Sequence, residues 1–147
     1  MPTSSFTTPY SLPEAICEKV HNLGSDTLKV ALTNSAPSRS NTVLADITEI
    51  SYTYCSARTL TVSSSSQSSG TYKLIVNDLT LTASGGSVGP FRYAVIYNDT
   101  ATSDELIGWY DYGSALTLAD GESLTLNLDG TNVRVIVTGK QIGRAHV

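Results

Sequence analysis

From Thr27 to Thr138 apolar and polar residues alternate in short runs separated by Gly, Asn, Asp and Ser. A period of two is that of a β-strand with one face buried. Between Thr27 and Thr33 it puts Leu28, Val30 and Leu32 on one face and Lys29 and Thr33 on the other. It returns at Arg58–Val62, and Tyr72, Leu74 and Val76 then share one parity while Leu79, Leu81 and Ala83 share the other. A bulge or tight turn at Asn77-Asp78 accounts for that slip. Phe91–Tyr97 is apolar on both faces, which predicts a central strand. Further strands are expected at Leu106–Tyr112, Ala115–Leu118, Ser123–Leu128 and Val133–Val137, the first two divided by Gly113. The expected fold is all-β, an antiparallel β-sandwich or jelly roll of about eight strands with one short helix near the amino terminus.

Three stretches break this pattern. Residues 1–10 show no period and predict an extended arm, either frayed or paired with a neighbouring subunit. Ser11 stands three residues before Glu14 with Pro13 between them, a capping-box spacing, and Leu12, Ile16, Val20 and Leu23 form one apolar stripe. A helix over 12–23 is therefore expected, closed by Gly24 in a left-handed conformation. Residues 42–50, with Val43, Leu44, Ile47 and Ile50, predict irregular chain or one helical turn, and Ser63–Gly70 predicts a turn or mobile loop. Residues 11–141 are expected to form one domain. No internal repeat supports a propeller or solenoid.

Composition agrees with a β-rich chain. Ser and Thr together number 39 of 147 residues, and they suit turns and half-exposed strand faces. By size, folding should bury about two thirds of the extended-chain surface, enough for a core without staples. The net charge is −4, with Arg39, Arg58, Arg92 and Arg134 scattered singly, so no basic stripe suggests a nucleic-acid partner. No apolar run is long enough to span a bilayer, and the first residues lack the regions of a signal peptide, so a cytosolic site of synthesis and no membrane partner are expected. Cys17 and Cys55 are expected as buried reduced thiols, the alternative being a disulfide between them. Ile142–Val147 resembles a translated sequencing adapter, which would place the gene in an environmental assembly, and is set aside from the fold.

Candidate chemistry is sparse. His21 is the one histidine outside Ile142–Val147, and no Gly-x-Ser-x-Gly elbow accompanies it, so a surface or capping role is expected rather than a hydrolase triad. Cys17, His21 and Cys55 lack a fourth ligand for zinc. Asn98, Asp99, Asp104 and Glu105 place oxygen donors on one connection, with no EF-hand register. Asp111, Asp120 and Glu122 are the carboxylates available to a glycosidase pair, but Asp120-Gly121-Glu122 is first a hairpin turn. No catalytic, metal or cofactor-binding residue is assigned, and no cofactor is expected. Trp109 should face away from Tyr110 and Tyr112, so half of this cluster belongs to the core, and the other half is open to packing, a protein interface or a sugar.

Two blocks carry a resemblance. His21–Asn34 with Asn41–Ile50, and Pro90–Thr100 with Leu106–Gly113 and Gly121–Ser123, resemble a family of small tailed-bacteriophage virion structural proteins. The likeness spans about residues 14–130 and departs at Ser51–Ser56, where a Gly-rich stretch would be usual. It implies a non-enzymatic structural β-protein located in the virion and assembled in the host cytoplasm. It does not fix the station within the particle, and the station expected first is a head decoration subunit that stabilises the capsid. Its partners would be the major capsid protein or other virion proteins, and it would form a homo-oligomer, with a trimer as the candidate state. The alternative station is a tail- or fibre-associated receptor- or carbohydrate-binding module, with Trp109, Tyr112 and the 98–105 loop as its surface. The candidate interface residues are Phe6, Tyr10, Trp109 and Tyr112.

Overall fold

The computed structural model describes residues 5–128. The expected strand at Val133–Val137 and the segment Ile142–Val147 lie outside the described residues. The described chain is mostly β, with one short helix and several antiparallel sheets. Its elements are α1 (Leu12–Cys17), β1 (Leu28–Thr33), a 3-10 turn (Leu44–Asp46), β2 (Val62–Ser68), β3 (Thr71–Val76), β4 (Leu79–Thr82), β5 (Val88–Asn98), β6 (Leu106–Leu118) and β7 (Ser123–Leu126).

The largest sheet has the order β1-β5-β6, so the stretch that is apolar on both faces is its central strand, as expected. β1 runs antiparallel to β5 from Leu28↔Asn98 to Thr33↔Tyr93. Both faces of this sheet are covered. Val30, Leu32, Ala94, Ile96, Ile107 and Tyr110 enter the main core, together with Leu74 and Val76 of β3, Leu81 of β4 and Leu126 of β7. Ala31, Val95, Tyr97, Leu106 and Trp109 form a second cluster, against which Leu44 and Ile47 pack. This explains why Thr33, expected on an open face, is fully buried. The outer edge of β1 is covered as well: Val30 N–H donates to Arg58 O at 3.0 Å, Leu60 N–H to Leu28 O at 2.9 Å, and Ile50 N–H to Leu32 O at 3.0 Å. Its backbone groups are thereby paired away from other chains.

Several expectations are corrected. The helix stops at Cys17 rather than residue 23, because Lys19 adopts φ 67° and closes it. Val20 N–H donates to Ala15 O at 2.8 Å and Lys19 N–H to Ile16 O at 3.3 Å, the paired bonds of a Schellman motif that is usually built on glycine. Gly24 is not in the left-handed region, and Ser11 makes no side-chain capping bond. Ser63–Gly70 is not a loop: Val62–Ser68 forms β2, paired with β3 through a two-residue turn at Ser69-Gly70 with φ 50° and 81°. Both positive φ values fit the turn that matches strand twist. Ser65 Oγ meets Tyr72 Oη at 2.8 Å across this hairpin, so hydroxyls here bridge strands rather than break them.

Leu106–Leu118 is one strand, not two. The pairing jumps from Tyr93↔Asp111 to Phe91↔Leu116, so the chain around Gly113 (φ 100°) bulges out of the ladder. The phase slip at Asn77-Asp78 proves to be the link between β3, paired with β2, and β4, paired with β7. The single helical turn within 42–50 is present at Leu44–Asp46, with the Asp46 carboxylate accepting from Thr42 N–H at 2.9 Å and Val43 N–H at 3.3 Å.

Candidate functional site

A cavity of about 630 Å³ lies where α1 ends, between the 19–26 segment, the β2–β3 hairpin and the connection after β5. Its bed is apolar, from Ile16, Val20, Leu23 and Ala101, and Lys19, Asn22, Asp26, Ser65, Tyr72 and Thr100 bring polar groups to its wall. His21 also lines it. Contrary to the surface role expected for it, His21 is only 7% exposed. Helix termination at Lys19 turns the chain and carries His21 inward, where a continued helix would have kept it among polar neighbours.

Asn98, fully buried at the end of β5, organises this region. Its Nδ2 donates to His21 Nδ1 at 2.9 Å and to Asp26 Oδ2 at 2.7 Å. Its Oδ1 accepts from Thr100 N–H at 3.0 Å and Ala101 N–H at 3.2 Å. All of the amide's polar atoms are thus engaged. The same Asp26 oxygen accepts from Asn22 N–H at 2.7 Å, which closes the 22–26 turn. Because Asn98 offers hydrogens to Nδ1, that nitrogen must accept, and the neutral ring carries its proton on Nε2. His21 Nε2 has no partner among the described residues, and neither has Glu105 Oε2. Burial holds the His21 pKa below its ordinary 6.5, against the opposing pull of the Glu105 and Asp26 charges.

Several oxygen donors of this connection are engaged internally. Asn98 caps the loop, Lys29 Nζ lies 3.4 Å from Asp99 Oδ2, and Ser103 N–H donates to Glu105 Oε1 at 3.3 Å. Among the described residues no group of three or more His, Cys, Asp or Glu side chains is arranged to hold a metal ion. Asp111 faces Arg92 through two bonds of 2.8 and 3.1 Å, which hold its carboxyl below the ordinary range. Asp120 Oδ1 accepts from Gly85 N–H at 2.9 Å and Glu122 Oε1 from Ala119 N–H at 2.6 Å, and the expected hairpin turn is corrected, because this turn links β6, paired with β5, to β7, paired with β4.

The four interface candidates are distributed unequally. The arm meets the protein's own β6 edge at Thr7, whose N–H donates to Trp109 O at 3.0 Å while Trp109 N–H donates to Thr7 O at 2.8 Å, and Tyr10 N–H donates to Arg39 O at 2.8 Å. Phe6 is half-buried, its ring 5.0 Å from that of Tyr110. Tyr10 is 68% exposed beneath the Arg39 guanidinium, 4.4 Å from the ring centre. Trp109 faces away from Tyr110, as expected, but it is buried within the second cluster and presents no stacking surface. Tyr112 is half-buried beside the Gly113 bulge. The thiols also differ from expectation: both are free, but Cys17 is exposed on the short helix and Cys55 half-buried beside Ala83.

Sequence reasoning missed Asn98 and Asp26 as partners of His21. The signal available was the Asn98 position itself, a polar residue ending a strand that is otherwise apolar on both faces. Comparison with protein-family models, curated proteins and solved structures gives no match. Among the described residues no helix is long and apolar enough to cross a membrane.

Proposed function

We propose that this chain is a non-enzymatic structural subunit of a tailed-bacteriophage virion, and in particular a head decoration protein that binds the outer surface of the expanded capsid lattice as a homo-oligomer, with a trimer as the candidate state. The observation that carries the reading is where the resembling residues fall. One block forms β1 and the 3-10 turn, and the other forms β5 and β6, so the likeness follows the central sheet. We further propose that the sheets stack as an antiparallel sandwich of the jelly-roll kind. The main core supports this, because it joins one face of β1-β5-β6 to apolar residues of β3, β4 and β7.

A subunit that binds the expanded lattice and not its precursor stabilises the shell by mass action alone. The net charge of −4 suits a soluble partner of protein rather than of nucleic acid. The tail-module alternative is weakened at Trp109, whose burial removes one of its two aromatic contacts. The test is to mix purified protein with expanded and unexpanded capsids of a phage that encodes it. Cosedimentation with expanded capsids and a higher shell melting temperature are expected. A monomer that stays in the supernatant with both removes the proposal.

A further inference from the structure

Beyond that role, and independently of any station in a particle, we infer that the cavity beside α1 is a binding site for a neutral, hydroxyl-rich ligand of mono- or disaccharide size. Its volume of about 630 Å³ lies within the ordinary range of small-ligand pockets. Its chemistry narrows the class. A sugar ring combines an apolar C–H face with a rim of hydroxyls that both donate and accept. The cavity offers the complement, with Ile16, Val20, Leu23 and Ala101 as a bed and the side chains of Asn22, Asp26, Ser65 and Thr100 around it.

Charge argues against ionic ligands. Asp26 and Lys19 both line the cavity with opposite signs, and the Glu105 charge acts on His21 from behind. An anion would meet the Asp26 carboxylate and a cation the Lys19 ammonium, whereas hydroxyls can donate to the first and accept from the second. The site is also held in place. Asn98 and Asn22 N–H both bind Asp26 Oδ2, and every bond described for this carboxylate falls on that oxygen, which orients Oδ1 without using it. Ser65 Oγ fixes the Tyr72 hydroxyl at 2.8 Å. Lys19 is held at φ 67°, a backbone state that non-glycine residues occupy sparingly and that recurs at binding sites.

Gly24 gives a clean test. It lines the cavity outside the left-handed region, and a Cβ there would meet Ser65 Oγ at 3.5 Å, an ordinary contact. Gly24→Phe should therefore fill the space without removing a polar group, and Gly24→Ala should leave it open. Isotope-labelled full-length protein titrated with neutral mono- and disaccharides should show saturable amide shifts at millimolar sugar, confined to residues 19–26, Ser65, Tyr72, Thr100 and Ala101. Gly24→Phe should abolish them and Gly24→Ala retain them. Asn22→Ala, at an exposed position, should weaken binding several-fold even if Gly24→Phe misfolds. Absence of saturation with every sugar, shifts that survive in Gly24→Phe, an unchanged affinity in Asn22→Ala, or tighter binding of uronic acids than of neutral sugars would each overturn the assignment. Capsid binding is a separate readout, so failure of one reading leaves the other standing.

Discussion

Asn98 donates to His21 Nδ1 across 2.9 Å, and with its other amide hydrogen to Asp26 Oδ2 across 2.7 Å. That contact requires a neutral imidazole, since a protonated ring would set one donor against another. Burial depresses the folded pKa below 6.5, against the pull of the Glu105 and Asp26 charges. An unfolded chain then binds more protons than the folded one between the depressed value and 6.5, so stability present above 6.5 is lost as pH falls through that window. Urea denaturation at falling pH should show a slope of at most about 1.4 kcal/mol per pH unit there. His21→Gln keeps an acceptor for Asn98 and should flatten this slope. An equal slope in the variant would assign the dependence to other groups.

Phe6 and Gly108 define how the arm is seated. A Cβ on Gly108 would overlap Phe6 Cζ and stand 2.6 Å from Thr7 O, so the arm would have to shift. Gly108→Ala should therefore displace the arm and cost about 1–3 kcal/mol, as overpacking does. Limited proteolysis should cut near Phe6 faster in the variant. Part of the cost should vanish in a Phe6→Ala background, because the ring no longer opposes the methyl group. Additive costs would show that the arm is already loose in the native chain.

Tyr52, in the Ser51–Ser56 segment, supports β1. Its hydroxyl accepts from Leu32 N–H at 2.8 Å and donates to Glu49 Oε1 at 2.7 Å, while the Arg58 guanidinium lies 3.6 Å from its ring centre. Burial raises its pKa well above the ordinary range. Tyr52→Phe leaves Leu32 N–H without its partner and should destabilise by about 1–3 kcal/mol. A chemical-denaturation midpoint equal to wild type would show that the backbone bonds with Ile50, Arg58 and Leu60 secure that edge without the hydroxyl.

What was legible in the chain followed the strength of local patterning. β1 and β5 are apolar runs whose period or two-sided burial admits one reading, and both lie where expected. The helix from 12 to 23 was legible only as a stripe. Leu12 and Leu23 are buried as the stripe requires, yet a non-glycine left-handed residue at Lys19 ends the helix, and nothing local marks Lys19 for that conformation. β2 failed for the opposite reason: its serines carry no apolar signal, and its register is imposed by Tyr72, Leu74 and Val76 on the partner strand. The cavity was invisible because it is assembled from residues up to 85 positions apart, from Ile16 to Ala101.

Lys19 yields a prediction opposite to the usual one for glycine. A left-handed residue other than glycine costs roughly 1–2 kcal/mol, while glycine adds a smaller entropic cost of about 0.5–1 kcal/mol through the unfolded chain. Lys19→Gly should therefore raise stability by about 0.5–1 kcal/mol, read as a higher melting temperature. Lys19→Val, β-branched at positive φ, should lower it. A loss of stability in Lys19→Gly would mean that the lysine stem contributes packing over Val20 that outweighs the strain.

The two thiols should separate by rate. Cys17 is exposed, while Cys55 is half-buried beside Ala83, and burial raises its pKa despite the nearby Arg58 charge. The thiolate is the reacting species, so a higher pKa and lower access slow Cys55 together. A thiol-reactive chromophore on native protein should give one fast phase, lost in Cys17→Ser, and one slow phase that merges with it in denaturant. Raising pH should speed the slow phase over a range that burial of Cys55 displaces upward. Two equal fast phases in native protein would show that the segment around Tyr52–Ser56 opens readily, and that its hold on β1 through Tyr52 is weaker than the 2.8 Å bond to Leu32 implies.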